Sequence, residues 1–222
     1  MADYVHGSIC AMDKLIQFLA ENPHIRYATP SSPDYADLRT SYLADDSVVP
    51  SVIVQPRSAE DIAALVPILS NNSLPFTVRV GGHDLFSRSQ LHNGVTIDLR
   101  QIADVHVAPD RQTATLGGGI ITVDLLKKLK PHGLITPFPI APSVGYVGWA
   151  THGGYSPLNT QYGLGVDQIV AAKIVDAQGQ IRDADETMLM AIRGAGPLVG
   201  VIVEMTIKVY ELGQVTSRTS IC

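Results

Sequence analysis

Phe76-Thr-Val-Arg-Val-Gly-Gly-His-Asp84 begins as a β-strand and ends in a glycine pair. Phe, Thr and Val favour the pleated conformation, and Pro75 bounds the run on its N-terminal side. Glycine tolerates positive φ and lets backbone amides come close to a ligand. Consecutive amides turned into one concavity make an anion nest. A glycine pair directly after a strand is therefore where a diphosphate cradle is expected. The same pair suits an ordinary tight turn, and these residues alone leave both readings open. The stretch is not a dinucleotide fingerprint, because G-x-G-x-x-G is absent and no helical pattern follows, and no Gly-Lys-Ser/Thr marks a Walker loop.

Upstream, Val52-Ile-Val-Gln55 reads as a strand, and Ser58-Ala-Glu-Asp61 reads as a capping box. Ile62, Leu65, Val66 and Leu69 follow at helical spacing, with Pro67 expected to cut the helix short. This strand–helix–strand order predicts a parallel pair. The first 45 residues read as a preamble. It holds a helix over Ala11–Asn22, ended by Pro23, and then a turn-rich surface run from Thr29 to Tyr35. Residues 46–212 read as the domain and 213–222 as a tail.

Downstream, Val95–Leu99 and Thr113–Leu116 are predicted strands, the second running into Gly117-Gly-Gly119. A helix is expected over Thr122–Lys130, with Thr122 as its cap. Phe138 to Gly165 carries so many Gly, Pro and small residues that one long loop is expected, and a loop of that length is usually functional. Gln168–Asp176 reads as a strand. Val201–Tyr210 alternates, with Val201, Val203, Met205, Ile207 and Val209 expected on one side. The fold class is α+β: an α/β first lobe and a mostly antiparallel second lobe, meeting near residues 110–117.

The 222 residues are 45% hydrophobic and 17% charged, which excludes general disorder. Sixteen basic residues against 21 acidic ones give a net charge of −5. No basic field exists to hold nucleic acid or an anionic membrane. The two cysteines, Cys10 and Cys222, exclude a disulfide scaffold and a cysteine-rich zinc site. The histidines show no H-x-x-x-H or H-E-x-x-H spacing, so no metal site is expected, and no G-x-S-x-G elbow argues for hydrolase chemistry. No apolar run approaches the roughly 20 residues of a spanning helix. No basic n-region with a following apolar run opens the chain, so a cytoplasmic, reduced protein is expected.

Taken together, the blocks resemble the FAD-binding, PCMH-type domain of the vanillyl-alcohol oxidase superfamily, in its berberine-bridge-enzyme-like, fungal-type branch. The matching blocks run from Pro50-Ser-Val-Ile-Val-Gln-Pro-Arg-Ser-Ala-Glu-Asp-Ile62 through Val78-Arg-Val-Gly-Gly-His-Asp84, Val95–Arg100 and Ala114–Gly119. They continue with Ala141-Pro-Ser-Val-Gly145, Gly153–Leu158, Gln161–Gln168, Ile192–Gly196 and Gly200–Glu204. The resemblance implies that Gly81 and Gly82, with Arg79, Val80 and Asp84 beside them, surround the FAD diphosphate. It implies that His83 is the covalent attachment point for the 8-methyl carbon of the flavin. Arg79 is expected chiefly to brace the loop.

The family's second block usually reads Cys-Pro-Thr-Val-Gly. Ala141 stands in place of the cysteine, so only one covalent link is expected. Pro142, Ser143, Val144 and Gly145 would still line the flavin. Gly148, Gly153, Gly154, Gly163, Leu164, Val166 and Asp167 fall in the phosphate- and ribityl-facing loop, and Gly200, Val201 and Ile202 in the adenine-side stretch. His152, Tyr146, Trp149 and Tyr155 lie in that loop as well, where hydrogen bonding and packing are the ordinary roles for such residues. The acidic runs Asp45-Asp46 and Asp183–Glu186 read as solvated surface.

The family's full chain continues into a substrate-binding domain that covers the flavin and carries the catalytic base. This sequence stops at Cys222, so that domain is expected to be missing and no catalytic residue is assigned. The resemblance implies hydride transfer from a small organic substrate to FAD, reoxidation by dioxygen, and a place in secondary metabolism. The alternative is a non-redox relative acting as a pseudoenzyme, a subunit, or a cyclase or isomerase in the emptied cleft. An open flavin face implies a homo-oligomer or a second chain covering it.

Overall fold

Ser58 takes an extended conformation and its hydroxyl accepts from the Asp61 amide, which starts helix α3 (Ala59–Asn71) where the capping pattern predicts. In the computed structural model, residues 2–42, 47–86 and 88–213 are described, the side chains of residues 2–10 and Pro197 excepted. The expected boundary at 45/46, the Asp45-Asp46 run and nearly all of the expected tail lie outside the described residues. So does the side chain of Cys10, and so does Cys222.

In chain order, the helices besides α3 are α1 (Ala2–Glu21), α2 (Tyr35–Arg39), α4 (Thr122–Leu129), α5 (Tyr146–Thr151), α6 (Asn159–Tyr162) and α7 (Glu186–Ala195). The strands are β1 (Arg26–Ala28), β2 (Val52–Gln55), β3 (Phe76–Arg79), β4 (Val95–Asp98), β5 (Val105–Val107) and β6 (Thr113–Gly117). They continue with β7 (Leu134–Ile135), β8 (Ile169–Val175), β9 (Ile181–Asp183), β10 (Val201–Lys208) and β11 (Tyr210–Glu211).

The first sheet has the order β1-β2-β4-β3. Strands β2 and β3 both run parallel to β4, which lies between them. The expected crossover is present, but its two strands are not neighbours. Helix α3 runs through Pro67 to Asn71 instead of stopping early. Its apolar positions Ile62, Leu65, Val66 and Leu69 are all buried, and that packing outweighs the lost hydrogen bond. The Ala63 carbonyl, which Pro67 leaves without an amide donor, faces Gly179 in the β8–β9 turn. A Cβ there would lie 2.3 Å from that oxygen.

The supposed preamble belongs to the core. Leu15 and Leu19 of α1 are fully buried against α3 and the sheet, and β1 pairs with β2. Helix α1 also extends well before Ala11.

The second sheet, β5-β6-β10-β8-β9, is antiparallel throughout. In β10 the expected single-sided alternation is broken. A register shift between Ile202 and Glu204 makes Val203 the extra residue of a bulge, and one extra residue flips every later side chain. Val201 and Val203 therefore join the first core, whereas Met205 and Ile207 join the second, beneath α4, α5 and α7. The passage between lobes runs through the turn after β4 at Leu99–Gln101, earlier than the expected 110–117. Helix α7 is started by Asp185, whose carboxylate accepts from the Met188 amide, so part of the acidic run is a cap and not merely solvated surface.

Candidate functional site

Two loops meet at the end of the parallel sheet. The first follows β3 and holds Val80, Gly81, Gly82, His83 and Asp84; the second holds Pro142, Ser143, Val144 and Gly145. A Cβ on Gly81 would lie 2.1 Å from the Ser143 carbonyl oxygen and 2.7 Å from the Gly145 nitrogen, so only glycine permits this approach. A Cβ on Gly145 would meet the Val80 side chain at 2.7 Å. The His83 imidazole Nε2 lies 2.7 Å from Ser143 Oγ. Its ring stacks on Tyr42, with centroids 4.0 Å apart and planes 15° from parallel.

The second loop is held from behind by the first turn of α4. The Thr122 amide donates to the Val144 carbonyl and the Val123 amide to the Pro142 carbonyl, each at 2.9 Å. The Thr122 hydroxyl also donates to Val144 O, so Thr122 does not act as the expected cap; Ile121 occupies that position. None of the described residues accepts from the amides of Gly81, Gly82, His83, Ser143 or Gly145. A close pair of loops with so many uncommitted donors is suited to an anion.

The expected long loop contains two short helices. Gly145 precedes α5, whose six residues span about 9 Å. Beyond it, Gly153 and Gly154 pair back-to-back with the next turn, the Gly165 amide donating to Gly154 O and the Val166 amide to Gly153 O. Gly154 has φ +75°, and a Cβ there would strike Gly165 at 2.6 Å. Gly148, on α5, and Gly153 face open space. Gly163 lies against the Asp167 carboxylate, which accepts from the Leu164 amide. Leu164 itself is exposed.

Other expected site residues are committed elsewhere. Arg79 is almost wholly buried, bonded through Nη2 to Asp98 Oδ2 at 2.8 Å and to the Leu38 carbonyl, and through Nη1 to Arg39 O. It braces α2 and the segment leading to Tyr42. The Asp84 carboxylate accepts from the Phe86 and Arg88 amides and pairs with the Arg88 guanidinium, folding its own turn. Gly200 packs against Ile174 and Val175 of β8, and Val201 and Ile202 open β10. They are linked to the second loop through the glycine turn: the Gly118 amide donates to Val203 O, and two residues later Ile120 O accepts from the Tyr146 amide.

His152 rests its Nδ1 against Gly148 O at 2.8 Å, an ordinary structural contact. Tyr146 is fully buried, and burial pushes its phenol well above the usual range. Trp149 donates to Tyr155 O. Among the described residues no cluster of three metal-ligating side chains occurs, and no helix is long and apolar enough to cross a membrane.

Burial pulls the His83 imidazole below its ordinary pKa, which favours the neutral ring. Sequence reasoning did not single out Tyr42, which lies past a turn-rich run with no signal of its own. It also missed Gln168, whose buried amide donates to both Tyr162 O and Leu164 O and whose Oε1 accepts from Tyr210 OH.

The FAD binding domain family matches residues 50–185. The chain is 39% identical over 213 residues to FAD-linked oxidoreductase aurO of Gibberella zeae, covering 95% of this chain and 41% of that protein. It is 36% identical over 167 residues to (R)-6-hydroxynicotine oxidase of Paenarthrobacter nicotinovorans, covering 73% of this chain and 36% of the relative. The crystal structure of 6-hydroxy-D-nicotine oxidase from Arthrobacter nicotinovorans superposes with a TM-score of 0.80 at 31% identity, over 84% of this chain and 42% of that one. BBE-like 1 of Physcomitrella patens superposes with a TM-score of 0.81 at 25% identity, over 89% and 44%. The chain thus spans about two-fifths of the length of these relatives. With the glycine loops meeting at the sheet end and the family match covering most of both lobes, the chain belongs to the FAD-binding domain family, in its PCMH-type, berberine-bridge-enzyme-like branch.

Proposed function

We propose that this chain is the flavin-holding part of an FAD-linked oxidoreductase acting on a small organic substrate, with His83 covalently attached to the cofactor. The contact between residues 80–83 and 142–145 carries the reading. It supports a cradle in which the amides of Gly81, Gly82, His83 and Gly145 meet the diphosphate side of FAD. Gly148 and Gly153 leave room along the ribityl side, Gly154 is packed on Gly165 beside them, and Gly200–Ile202 lie toward the adenine. The donor set fits the group: neutral amides and glycine surfaces accept a dianionic diphosphate without a competing carboxylate, because Asp84 and Asp167 are turned into their own turns.

FAD, when bound, supplies a two-electron acceptor for a hydride from a C–H or C–OH carbon, with dioxygen as the terminal oxidant in this reading. The chain's own part is to hold and orient it. Attachment at His83 would replace one imidazole N–H and one methyl C–H by an N–C bond, with two protons released and dioxygen as the two-electron oxidant. Ala141 leaves no thiol for a second bond. The relatives named FAD-linked oxidoreductase and (R)-6-hydroxynicotine oxidase support oxidation of a small organic substrate, and the reading extends this to a role in secondary metabolism. Exposed Leu85, Phe86, Ile140 and Tyr155 flank the loops, which supports cover by further polypeptide or a second copy.

The test is the visible spectrum of the purified chain before and after acid precipitation. Yellow colour that stays with the precipitate in wild type, and is released in His83→Ala, supports the reading. A colourless chain that FAD does not reconstitute overturns it and favours the non-redox alternative.

A further inference from the structure

Ser143 is the residue of its loop that hydrogen-bonds His83. Its neighbours on both sides are held by their carbonyls, Pro142 by the Val123 amide and Val144 by Thr122, so the loop cannot rotate Ser143 away without breaking those bonds. Its own carbonyl is packed against Gly81. From this fixed station the hydroxyl meets His83 Nε2 at 2.7 Å, while Tyr42 covers a face of the same ring. Among the described residues the imidazole is thus held by a stack and by one hydrogen bond at one nitrogen.

We infer that Ser143 is a positioning residue for flavin attachment: the Nε2–H of His83 donates to Ser143 Oγ, which fixes the tautomer and leaves the Nδ1 lone pair as the nucleophile. This rests on the reading that His83 carries the cofactor. When Nδ1 forms its bond to the methyl carbon, the Nε2 proton is the one that must leave, and Ser143 Oγ is the group beside it. The methyl C–H proton leaves to solvent and two electrons go through the ring to dioxygen, so the balance closes without another reagent. Ser143 touches the histidine and not the reacting carbon.

Two measurements on the full chain test the inference. The first needs no cofactor: long-range proton–nitrogen NMR of the His83 ring. Wild type should show the Nε2–H tautomer, and Ser143→Ala a mixture; a wild-type ring protonated on Nδ1 overturns the inference. The second adds FAD to flavin-free chain and follows acid-stable colour with time, alongside the dissociation constant for non-covalent binding. At saturating FAD, Ser143→Ala should attach about tenfold more slowly, and Ser143→Thr should restore the rate. Equal attachment rates at saturating FAD overturn the inference, as does failure of Ser143→Thr to restore the rate. A wild type that binds FAD but never attaches it overturns the His83 reading itself, which separates the two failures.

Discussion

Arg79 and Asp98 face each other at paired positions of β3 and β4, 2.8 Å apart, with side chains 1% and 0% exposed. Arg100 closes on the same carboxylate from the other side, its Nη2 lying 2.6 Å from Oδ2. Burial alone would raise the Asp98 carboxyl, but its hydrogen bonds and charge pairing with Arg100 and Arg79 outweigh that and hold it below the ordinary range. The pair sits directly under the His83 loop and ties β3 to Leu38 and Arg39, and so to Tyr42.

Asp98→Asn keeps the shape and removes the charge, leaving a buried guanidinium without its counterion. Losing one partner of a buried pair costs about 3–5 kcal/mol. Chemical denaturation at neutral pH should register a loss of that size. The sign with pH follows from a depressed folded-state value. The carboxylate's contribution is complete above its unfolded value of about 4 and disappears as pH falls through the lower folded value. The gap between wild type and Asp98→Asn should therefore narrow below about pH 4. A gap that stays constant from pH 7 to pH 3 would show that the charge is not what stabilises the pair.

Gly81→Ala and Gly148→Ala separate the close approach of the loops from the room left for a cofactor. At Gly81 the added methyl meets backbone at 2.1 and 2.7 Å, so the loops must part. A stability loss of about 1–3 kcal/mol should accompany loss of FAD binding. At Gly148 the methyl meets nothing within 4 Å, and alanine favours the helix by about 1 kcal/mol. The melting temperature should hold or rise while FAD affinity, measured by flavin fluorescence quenching, falls at least tenfold. An unchanged affinity in Gly148→Ala would remove that residue from the cofactor surface.

The sequence pattern made the glycine loops legible because glycine marks backbone geometry directly, and backbone geometry is what a diphosphate cradle is made of. The strand–helix–strand start was legible for a similar reason: Ser58 and the spacing of Ile62, Leu65, Val66 and Leu69 are local signals. What was hidden depends on long-range register. The bulge at Val203 leaves the alternation of β10 unbroken in sequence while reversing its face in space. Helix α5 was hidden inside a Gly-rich run because its stability comes from burying Tyr146, Val147 and Ala150 and not from propensity. Tyr42 and Ser143 meet at His83 from residues about a hundred apart, and no local signal announces such a meeting.

Gln168 provides the last test. It is fully buried; its Nε2 donates to Tyr162 O and Leu164 O at 2.8 Å each, and its Oε1 accepts from Tyr210 OH. Tyr210 in turn stacks on Tyr162, with centroids 4.0 Å apart. One amide thus closes the turn that carries Gly163, Leu164 and Val166 and locks it to β11, which pairs with β7 beside the second sheet. Gln168→Leu preserves approximate volume but strands the Tyr162 carbonyl and the Tyr210 phenol, each stranded group costing about 1–3 kcal/mol, while the Leu164 carbonyl keeps the Asp167 amide. Thermal unfolding should shift to lower temperature, and FAD affinity should fall because the turn behind Gly153 and Gly154 loosens. Gln168→Glu retains the oxygen that accepts from Tyr210 but sets a carboxylate against the two carbonyls. It should be as damaging as leucine at neutral pH and recover part of its stability in acid, as protonation restores a donor. Equal stability of Gln168→Glu at pH 7 and pH 5 would show that the two carbonyls do not depend on this amide.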